Sequence, residues 1–458
     1  MNAFGRTDGQ NGAKGDGLPT GFTSLGEREA VETPVRLLSL DALRGFVMLA
    51  LASGGFGLTA AARHFPGNSV WDFLACQCKH APWLGCSFAD LLQPTFLFIV
   101  GAALPLAHAK HRRQGQGERR IAWQSVRRAG IFVLLGVLFE ANKSGGIAIS
   151  FVNVLAQIGL GYVFVALLAR RSFHVQLLTV AVILFGTWLA FALYPLPVVV
   201  GERGCVSAPN ANLSSGRLPG FFAHWNKHVN IAADFDRRFL NLFPRCKPFV
   251  RQTGGYQTLN FIPSMATMLL GVMAGQLLLS PRTPSRKLSL LLATGLLCWE
   301  LGLILNWTVC PCVKRLWTPS WVLVSAGGAF LALAAFYWLI DVRRRRRWCR
   351  PLAGIGRMTL PLYCTFGLMQ WLKPFLPQAG CRLAFLLQGM EVYGVMALTA
   401  MLLVLLWWIG GRISVRQPDH FPRAQSSAST RPSSAADSTM SGGKNVSTLR
   451  PGPLLPIR

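Results

Sequence analysis

Apolar stretches of about twenty residues recur along most of this chain and are separated by polar connections. Each stretch is close to the roughly 20 residues that an α-helix needs to cross a bilayer. The pattern therefore predicts an all-α, polytopic integral membrane helix bundle with about ten transmembrane helices and one long loop at 195–258. The predicted segments are at about 38–60, 88–109, 122–141, 150–169, 173–194, 260–280, 287–306, 319–340, 353–373 and 386–411.

The two ends of the chain lack this pattern. Residues 1–34 are rich in Gly, Thr and acidic residues and contain no apolar run, which predicts a disordered segment and not a cleaved signal peptide. Residues 416–458 are rich in Ser, Pro, Ala and Arg and predict a disordered tail. The transmembrane domain is therefore expected to span residues 35–415.

The composition agrees with a membrane protein. The chain is 52% hydrophobic and 14% charged, and its mean hydropathy is +0.38. The net charge of +28 would suggest nucleic-acid binding in a soluble protein. Here the basic residues cluster between apolar segments and do not alternate with aromatic residues on a surface, so we expect no nucleic-acid partner.

The distribution of Lys and Arg predicts the orientation. Basic residues are dense between the second and third segments and in the run Arg343–Arg347. The positive-inside rule places these loops and both termini in the cytoplasm, and the 195–258 loop on the opposite side. Many cysteines would then be extracytoplasmic, where disulfides can form in a pairing that the sequence leaves open: Cys76, Cys78, Cys86, Cys205, Cys246, Cys310, Cys312 and Cys381.

The stretch His80–Gly101, HAPWLGCSFADLLQPTFLFIVG, differs from an ordinary lipid-facing segment. His80 and Trp83 lie at its predicted extracytoplasmic mouth, and Asp90 and Gln93 follow within the apolar run. A carboxylate inside a membrane segment is costly unless it is paired, so Asp90 is expected to face the bundle interior. These residues predict a reaction site, although an interfacial anchor and an interhelical hydrogen bond are the simpler interpretations.

Three further sets of polar residues are candidates for binding. Asp41 and Arg44 share a helix face in the first segment, which favours an interfacial ion pair or a phosphate contact. Gln157 in the fourth segment suits either interhelical hydrogen bonding or a substrate contact. Tyr256 and Asn260 follow two glycines at a helix mouth, where they suit a polar ligand or a turn and cap.

Together these motifs resemble the transmembrane acetyltransferases related to heparan-α-glucosaminide N-acetyltransferase, in particular their bacterial branch. The resemblance covers roughly residues 36–411. It is carried by RLLSLDALRG (36–45), KHAPWLGCSFADLLQPTFLFIVG (79–101), VLAQIGLGY (154–162), NIAADFDRRFLNLFPR (230–245), GGYQTLNFIPSMATMLLGVMAG (254–275) and LWTPSWVLVSAGGAFLALAAFYWLIDV (316–342).

The resemblance implies an enzyme that takes the acetyl group of cytoplasmic acetyl-CoA and places it on an amino sugar or glycan across the membrane. The family's essential histidine corresponds to His80. Two positions depart from relatives and leave the acceptor open, namely Ser53 in place of Asn and Met358-Thr359 in place of a Met-Asn pair. The implied location is a bacterial inner membrane. The implied partners are membrane lipid and small-molecule substrates. The oligomeric state stays open, with a homodimer as one possibility.

The implied mechanism uses His80 as a general base or as an acetyl carrier, since imidazole titrates near neutral pH. Asp90 would orient it, and no metal is expected. An envelope-polysaccharide O-acetyltransferase and a sugar or lipid-linked-sugar transporter are the alternatives.

Two sets of residues are expected to bind the substrates. Substrate contacts are expected from Trp83, Gln93, Gln157, Tyr256 and Asn260, and either Gln157 or Asn260 would polarise the thioester carbonyl. Contacts to the CoA phosphates are expected from Asp41, Arg44, Arg127 and Arg128.

Overall fold

The computed structural model describes residues 37–372, apart from gaps at 54–55, 57, 64, 142–147, 197–198, 201–205, 208–217 and 246, and a few residues between 404 and 412. Nearly all the regular structure within these limits is helical. The helices are α1 (Leu38–Ala52), α2 (Leu58–Ala62), α3 (Ser69–Gln77), α4 (Phe88–Arg113), α5 (Glu118–Ala141), α6 (Val154–Leu168), α7 (Phe173–Ala192), α8 (Ile231–Phe239), α9 (Phe261–Leu279), α10 (Pro284–Thr308), α11 (Pro319–Tyr337), α12 (Arg350–Arg357) and α13 (Thr359–Leu372). Two short strands, β1 (Val199–Val200) and β2 (Val206–Ser207), pair in antiparallel fashion. The predicted terminal segments, 1–34 and 416–458, lie outside the described residues.

Six helical spans in the described part of the chain are long and apolar enough to cross a membrane. They coincide with six of the ten predicted segments and support an integral membrane protein. The tenth predicted segment, 386–411, falls largely outside the described residues. The spans are Phe88–Arg113, Glu118–Ala141, Phe173–Ala192, Thr258–Leu279, Pro284–Thr308 and Pro319–Val342.

The remaining predicted segments differ from the observed helices in length. The first was expected to reach residue 60, but α1 ends at Ala52, and the Ser53 hydroxyl accepts a hydrogen bond from a backbone N–H beyond the helix. The fourth was expected to start at residue 150, but α6 starts four residues later, because the Asn153 side chain caps it. The ninth is divided at Met358 into α12 and α13.

The centre of the bundle is formed by α9 and α11, whose spans are the most buried. Helix α4 packs closely against α9 because glycines face the partner backbone. A Cβ atom at Gly101 would lie 1.9 Å from the Met268 carbonyl oxygen, and one at Gly271 would lie 2.0 Å from the Phe98 carbonyl oxygen. Small residues at such crossings let membrane helices gain van der Waals contact.

We expect Gly101→Ala to destabilise the protein, because the added methyl group meets backbone that cannot move without separating α4 from α9. Thermal unfolding in detergent measures this effect as a lower midpoint. Gly130→Ala on α5 is the matched control, since a Cβ atom there meets no atom within 4 Å. Equal midpoints for the two variants would contradict the close packing of α4 on α9.

The described part of the long loop folds over the N-terminal end of α9. Trp225, at the end of a 3₁₀ helix (Gly220–Trp225), is fully buried. The Asn226 side chain pairs with the backbone of Leu218, which closes this turn. Further along, the buried Asp236 carboxylate on α8 accepts a hydrogen bond from the Thr258 N–H at 3.0 Å. The loop is therefore fixed to the start of α9.

This anchor makes stability depend on pH. Burial raises the pKa of the Asp236 carboxyl to about 6, and the Thr258 hydrogen bond offsets only part of the shift. The ordinary pKa of Asp is about 3.9, so between these values the folded protein binds more protons than the unfolded chain. Stability is therefore expected to fall as the pH rises from about 4 to about 6 and to change no further from this cause above that range.

Thermal unfolding of the wild type and of Asp236→Asn across this pH range tests the assignment. Asparagine keeps an oxygen that can accept from Thr258 but does not titrate. The difference between the two midpoints should therefore change with pH below about 6 and stay constant above it. Parallel curves over the whole range would show that Asp236 has no raised pKa.

Candidate functional site

The buried Asp90 carboxylate organises the N-terminal end of α4. Asp90 lies in the first turn of the helix, where it forms a capping box with Ser87. Its Oδ2 atom accepts hydrogen bonds from Ala81 N at 3.0 Å, Ser87 N at 3.2 Å and Ser87 Oγ at 2.9 Å. The sequence suggested that Asp90 lies within the apolar run, but the structure places it in the first turn of α4. The hydrogen-bond donors there compensate for the burial of its carboxylate.

The other oxygen of Asp90 joins two basic side chains. Asp90 Oδ1 lies 2.8 Å from His80 Nδ1 and 3.0 Å from Lys314 Nζ. The two nitrogen atoms are 3.3 Å apart. The structure thus brings together the two residues predicted for catalysis and adds a lysine from the turn before α11.

The His80 ring is held in one orientation with one edge open. A carboxylate only accepts hydrogen bonds, so His80 Nδ1 carries the proton that Asp90 binds. In the neutral form of the ring, Nε2 then carries the lone pair, and no hydrogen bond from the described part of the chain reaches it. The His80 side chain is 55% exposed, whereas Asp90 and Lys314 are 1% and 7% exposed. A substrate can therefore reach the imidazole but not the pair that positions it.

Lys314 is the residue of this cluster that the sequence did not single out, because a lysine next to Arg315 between two apolar segments has the pattern of an ordinary loop charge. It lies in a short 3₁₀ turn, Lys314–Leu316. Burial lowers the pKa of the Lys314 ammonium, and the Asp90 carboxylate opposes the shift. The only feature of the sequence that could have pointed to Lys314 is the pair of adjacent cations, Lys314 and Arg315, in a short and otherwise apolar connection.

One wall of the site is formed by the end of the long loop. The Trp83 indole N–H donates to the Trp225 carbonyl oxygen at 3.1 Å. The Trp83 ring packs against Gly255, which has a positive φ of 83° and where a Cβ atom would lie 2.7 Å from the ring. The Arg315 guanidinium lies over the Tyr256 ring, 5.8 Å from its centre. Trp83 and Tyr256, both predicted to bind substrate, therefore also hold the loop in place.

Two buried amides next to this wall each have one unused oxygen. Asn260 donates from Nδ2 to the Arg315 carbonyl oxygen at 2.8 Å, and Gln157 donates from Nε2 to the Gln257 carbonyl oxygen at 3.3 Å. Among the described residues, neither Asn260 Oδ1 nor Gln157 Oε1 has a hydrogen-bond partner. Because buried polar atoms usually have partners, these oxygens suit a ligand that donates hydrogen bonds. A role in polarising a carbonyl would instead need the second N–H of each amide, because one N–H of each already donates to a backbone carbonyl oxygen.

Gln93, which was predicted to contact substrate, has no hydrogen bond in the described part of the chain that ties it to the rest of the site. It lies one turn beyond Asp90 on the same side of α4 and is partly buried.

The predicted CoA-binding residues fall into two groups. Arg44 Nη1 lies 3.5 Å from Asp41 Oδ1, as expected from their spacing, and Arg357 Nε lies 3.9 Å from Asp41 Oδ2. All three side chains are mostly buried between α1 and α12. Arg127 and Arg128 are exposed on α5, and no described contact brings them to Arg44.

Four of the cysteines predicted to be extracytoplasmic are free thiols in the described part of the chain, namely Cys76, Cys86, Cys310 and Cys312. Three others, Cys205, Cys246 and Cys381, lie outside the described residues.

No family model matches the sequence, but two curated proteins do. Human heparan-alpha-glucosaminide N-acetyltransferase is 26% identical over 353 residues, covering 68% of this chain and 50% of the human protein. The mouse protein of the same name is 25% identical over 351 residues, covering 67% of this chain and 50% of its own length. The chain thus spans about half the length of the curated relatives it matches. With the helical membrane spans already described, these similarities relate the chain to the heparan-alpha-glucosaminide N-acetyltransferases.

Proposed function

We propose that this protein is a transmembrane acetyltransferase that moves the acetyl group of acetyl-CoA to an amino sugar on the extracytoplasmic side of the membrane. The observation that carries this proposal is the His80–Asp90–Lys314 cluster, with His80 Nε2 open to a substrate. The similarity to two N-acetyltransferases supports the reaction class. The expected location is a bacterial inner membrane with both termini in the cytoplasm.

In this mechanism the imidazole handles the proton of the attacking amine. The amine nitrogen forms a bond to the thioester carbonyl carbon while His80 Nε2 removes a proton from the nitrogen. The carbon–sulfur bond then breaks, and the CoA thiolate leaves and takes up a proton. In the alternative route, Nε2 attacks the thioester first and later passes the acetyl group to the amine.

The acceptor sugar is proposed to bind between the loop wall and the buried amides. Its hydroxyl or amine hydrogens would donate to Asn260 Oδ1 and Gln157 Oε1, two buried oxygens next to the site that have no hydrogen-bond partner among the described residues. Trp83 and Tyr256 provide aromatic surface at the entrance, and Gln93 lies deeper on the side of α4 that carries Asp90. An apolar acceptor would leave both amide oxygens unpaired, so the arrangement favours a polar one.

The phosphates of acetyl-CoA are proposed to contact Arg44 and Arg357, two guanidinium groups that lie close together on either side of Asp41. Arg44 lies eight residues before the end of α1, or about 12 Å along the helix axis. This depth brings a phosphate nearer to His80 than a contact at the membrane surface would. Arg127 and Arg128 are proposed to attract the anionic donor electrostatically to the cytoplasmic surface of the protein.

Purified protein incubated with acetyl-labelled acetyl-CoA, with and without glucosamine, tests the proposal. We expect labelled N-acetylglucosamine only when both substrates and active protein are present. CoA release with acetylation of hydroxyl groups would favour the O-acetyltransferase alternative. Absence of both acetyl-CoA binding and turnover would reject the proposed function and leave a transporter as the alternative.

A further inference from the structure

An apolar groove of about 330 Å³ lies beside the candidate site. It is formed by one side of α7, the start of α8 and the N-terminal end of α9. Small residues on α7, Gly186 and Ala190, leave room for it, while Ile183 and Ile262 contribute to its walls. Almost all of its lining is hydrocarbon, so a free sugar or an anion would gain little by binding there.

The groove is open towards the region that the bilayer would occupy. Gly186 and Ala190 are exposed, and so are the apolar side chains of Val182 and Phe185 on the same helix. Helix α7 is one of the six spans that can cross the membrane, and little of it is buried in the protein. A ligand can therefore enter from the hydrocarbon layer without crossing water.

The inner end of the groove is polar and adjoins the site. Asn260 lines the groove and donates to the Arg315 carbonyl oxygen, which directly follows Lys314 in the chain. Its amide oxygen is buried and has no partner among the described residues. Leu316, two residues after Lys314, also lines the groove. The groove thus joins a membrane-facing apolar surface to a hydrogen-bond acceptor next to the His80 cluster.

We propose that this groove holds the hydrocarbon chain of a membrane-anchored amino-sugar acceptor, whose polar head extends past Asn260 towards His80. This inference rests on the proposed acetyltransferase function and specifies its substrate class as a lipid-linked, not a water-soluble, amino sugar. A hydrocarbon chain matches the lining, the head group matches the unpaired amide oxygen, and the open side gives access from the bilayer.

The test compares two acceptors and two variants of the purified protein with labelled acetyl-CoA. The acceptors are octyl and methyl β-glucosaminide, which carry the same amine on chains of different length. Gly186→Leu fills the groove, and Gly130→Leu on α5 is the matched control, because a Cβ atom at either position meets no atom within 4 Å. Partition of the octyl chain into detergent is the same for both variants, so only the groove differs.

We expect the wild type and Gly130→Leu to prefer the octyl acceptor by about tenfold or more in kcat/KM, since burial of a few methylene groups gives such a factor. Gly186→Leu should reduce this preference to about one. An equal octyl preference in both variants, or none in the wild type, would overturn the lipid-linked acceptor while leaving acetyl transfer intact. Acetylation of neither sugar would instead reject the acetyltransferase function and this inference with it.

Discussion

Replacing His80 with alanine is expected to lower acetyl transfer by two to four orders of magnitude, the usual contribution of a positioned general base. The loss should appear in kcat, because Nε2 acts on the proton of the attacking amine in the transition state. The fold should survive, since the imidazole is more than half exposed and lies at the surface of the site. Initial rates of label transfer and the thermal unfolding midpoint measure the two effects separately.

His174→Ala is the matched control for this substitution. His174 is exposed at the start of α7 and contacts the Phe173 ring, away from the Asp90 cluster. It should retain wild-type transfer. If His80→Ala transferred acetyl groups as fast as His174→Ala, His80 would have no part in the reaction.

Replacing Lys314 with methionine is expected to destabilise the protein by about 3–5 kcal/mol, the usual cost of removing one partner from a buried ion pair. Methionine keeps most of the side-chain volume but leaves the Asp90 carboxylate buried without its ammonium partner. His80 and the three donors to Oδ2 can offset part of this loss. Unfolding of purified variants in detergent measures the difference in stability.

The double variant Asp90→Asn/Lys314→Met separates the ion pair from other effects of the substitutions. If the two charges stabilise each other, the double variant should lose clearly less stability than the sum of the single variants. Simple additivity would show that Lys314 and Asp90 do not interact in the folded protein.

Six of the ten predicted membrane spans coincide with long apolar helices in the described part of the chain, because a long apolar run satisfies its backbone hydrogen bonds in a bilayer by forming a helix. The ends of the helices were predicted less accurately than their presence. The observed start of α6 depends on a side-chain cap at Asn153, and the division at Met358 lies between Arg357 and Thr359 in an otherwise largely apolar segment. An average hydropathy over about twenty residues resolves neither feature.

The site was predictable only in part. His80 and Asp90 are ten residues apart, and a base next to a buried carboxylate could be inferred from that single stretch. Lys314 comes from a turn 224 residues after Asp90. Its contact depends on the packing of α11 against α4, which no local pattern encodes. The groove beside Gly186 also depends on how separate helices pack.

Donor and acceptor placed on opposite sides of a membrane show whether the protein transfers the acetyl group across it. Protein is reconstituted into sealed vesicles with glucosamine trapped inside and labelled acetyl-CoA outside. Transfer across the membrane predicts labelled N-acetylglucosamine inside the vesicles, and none with His80→Ala. Labelled product that forms only when donor and acceptor are on the same side of the membrane would contradict transfer across the membrane.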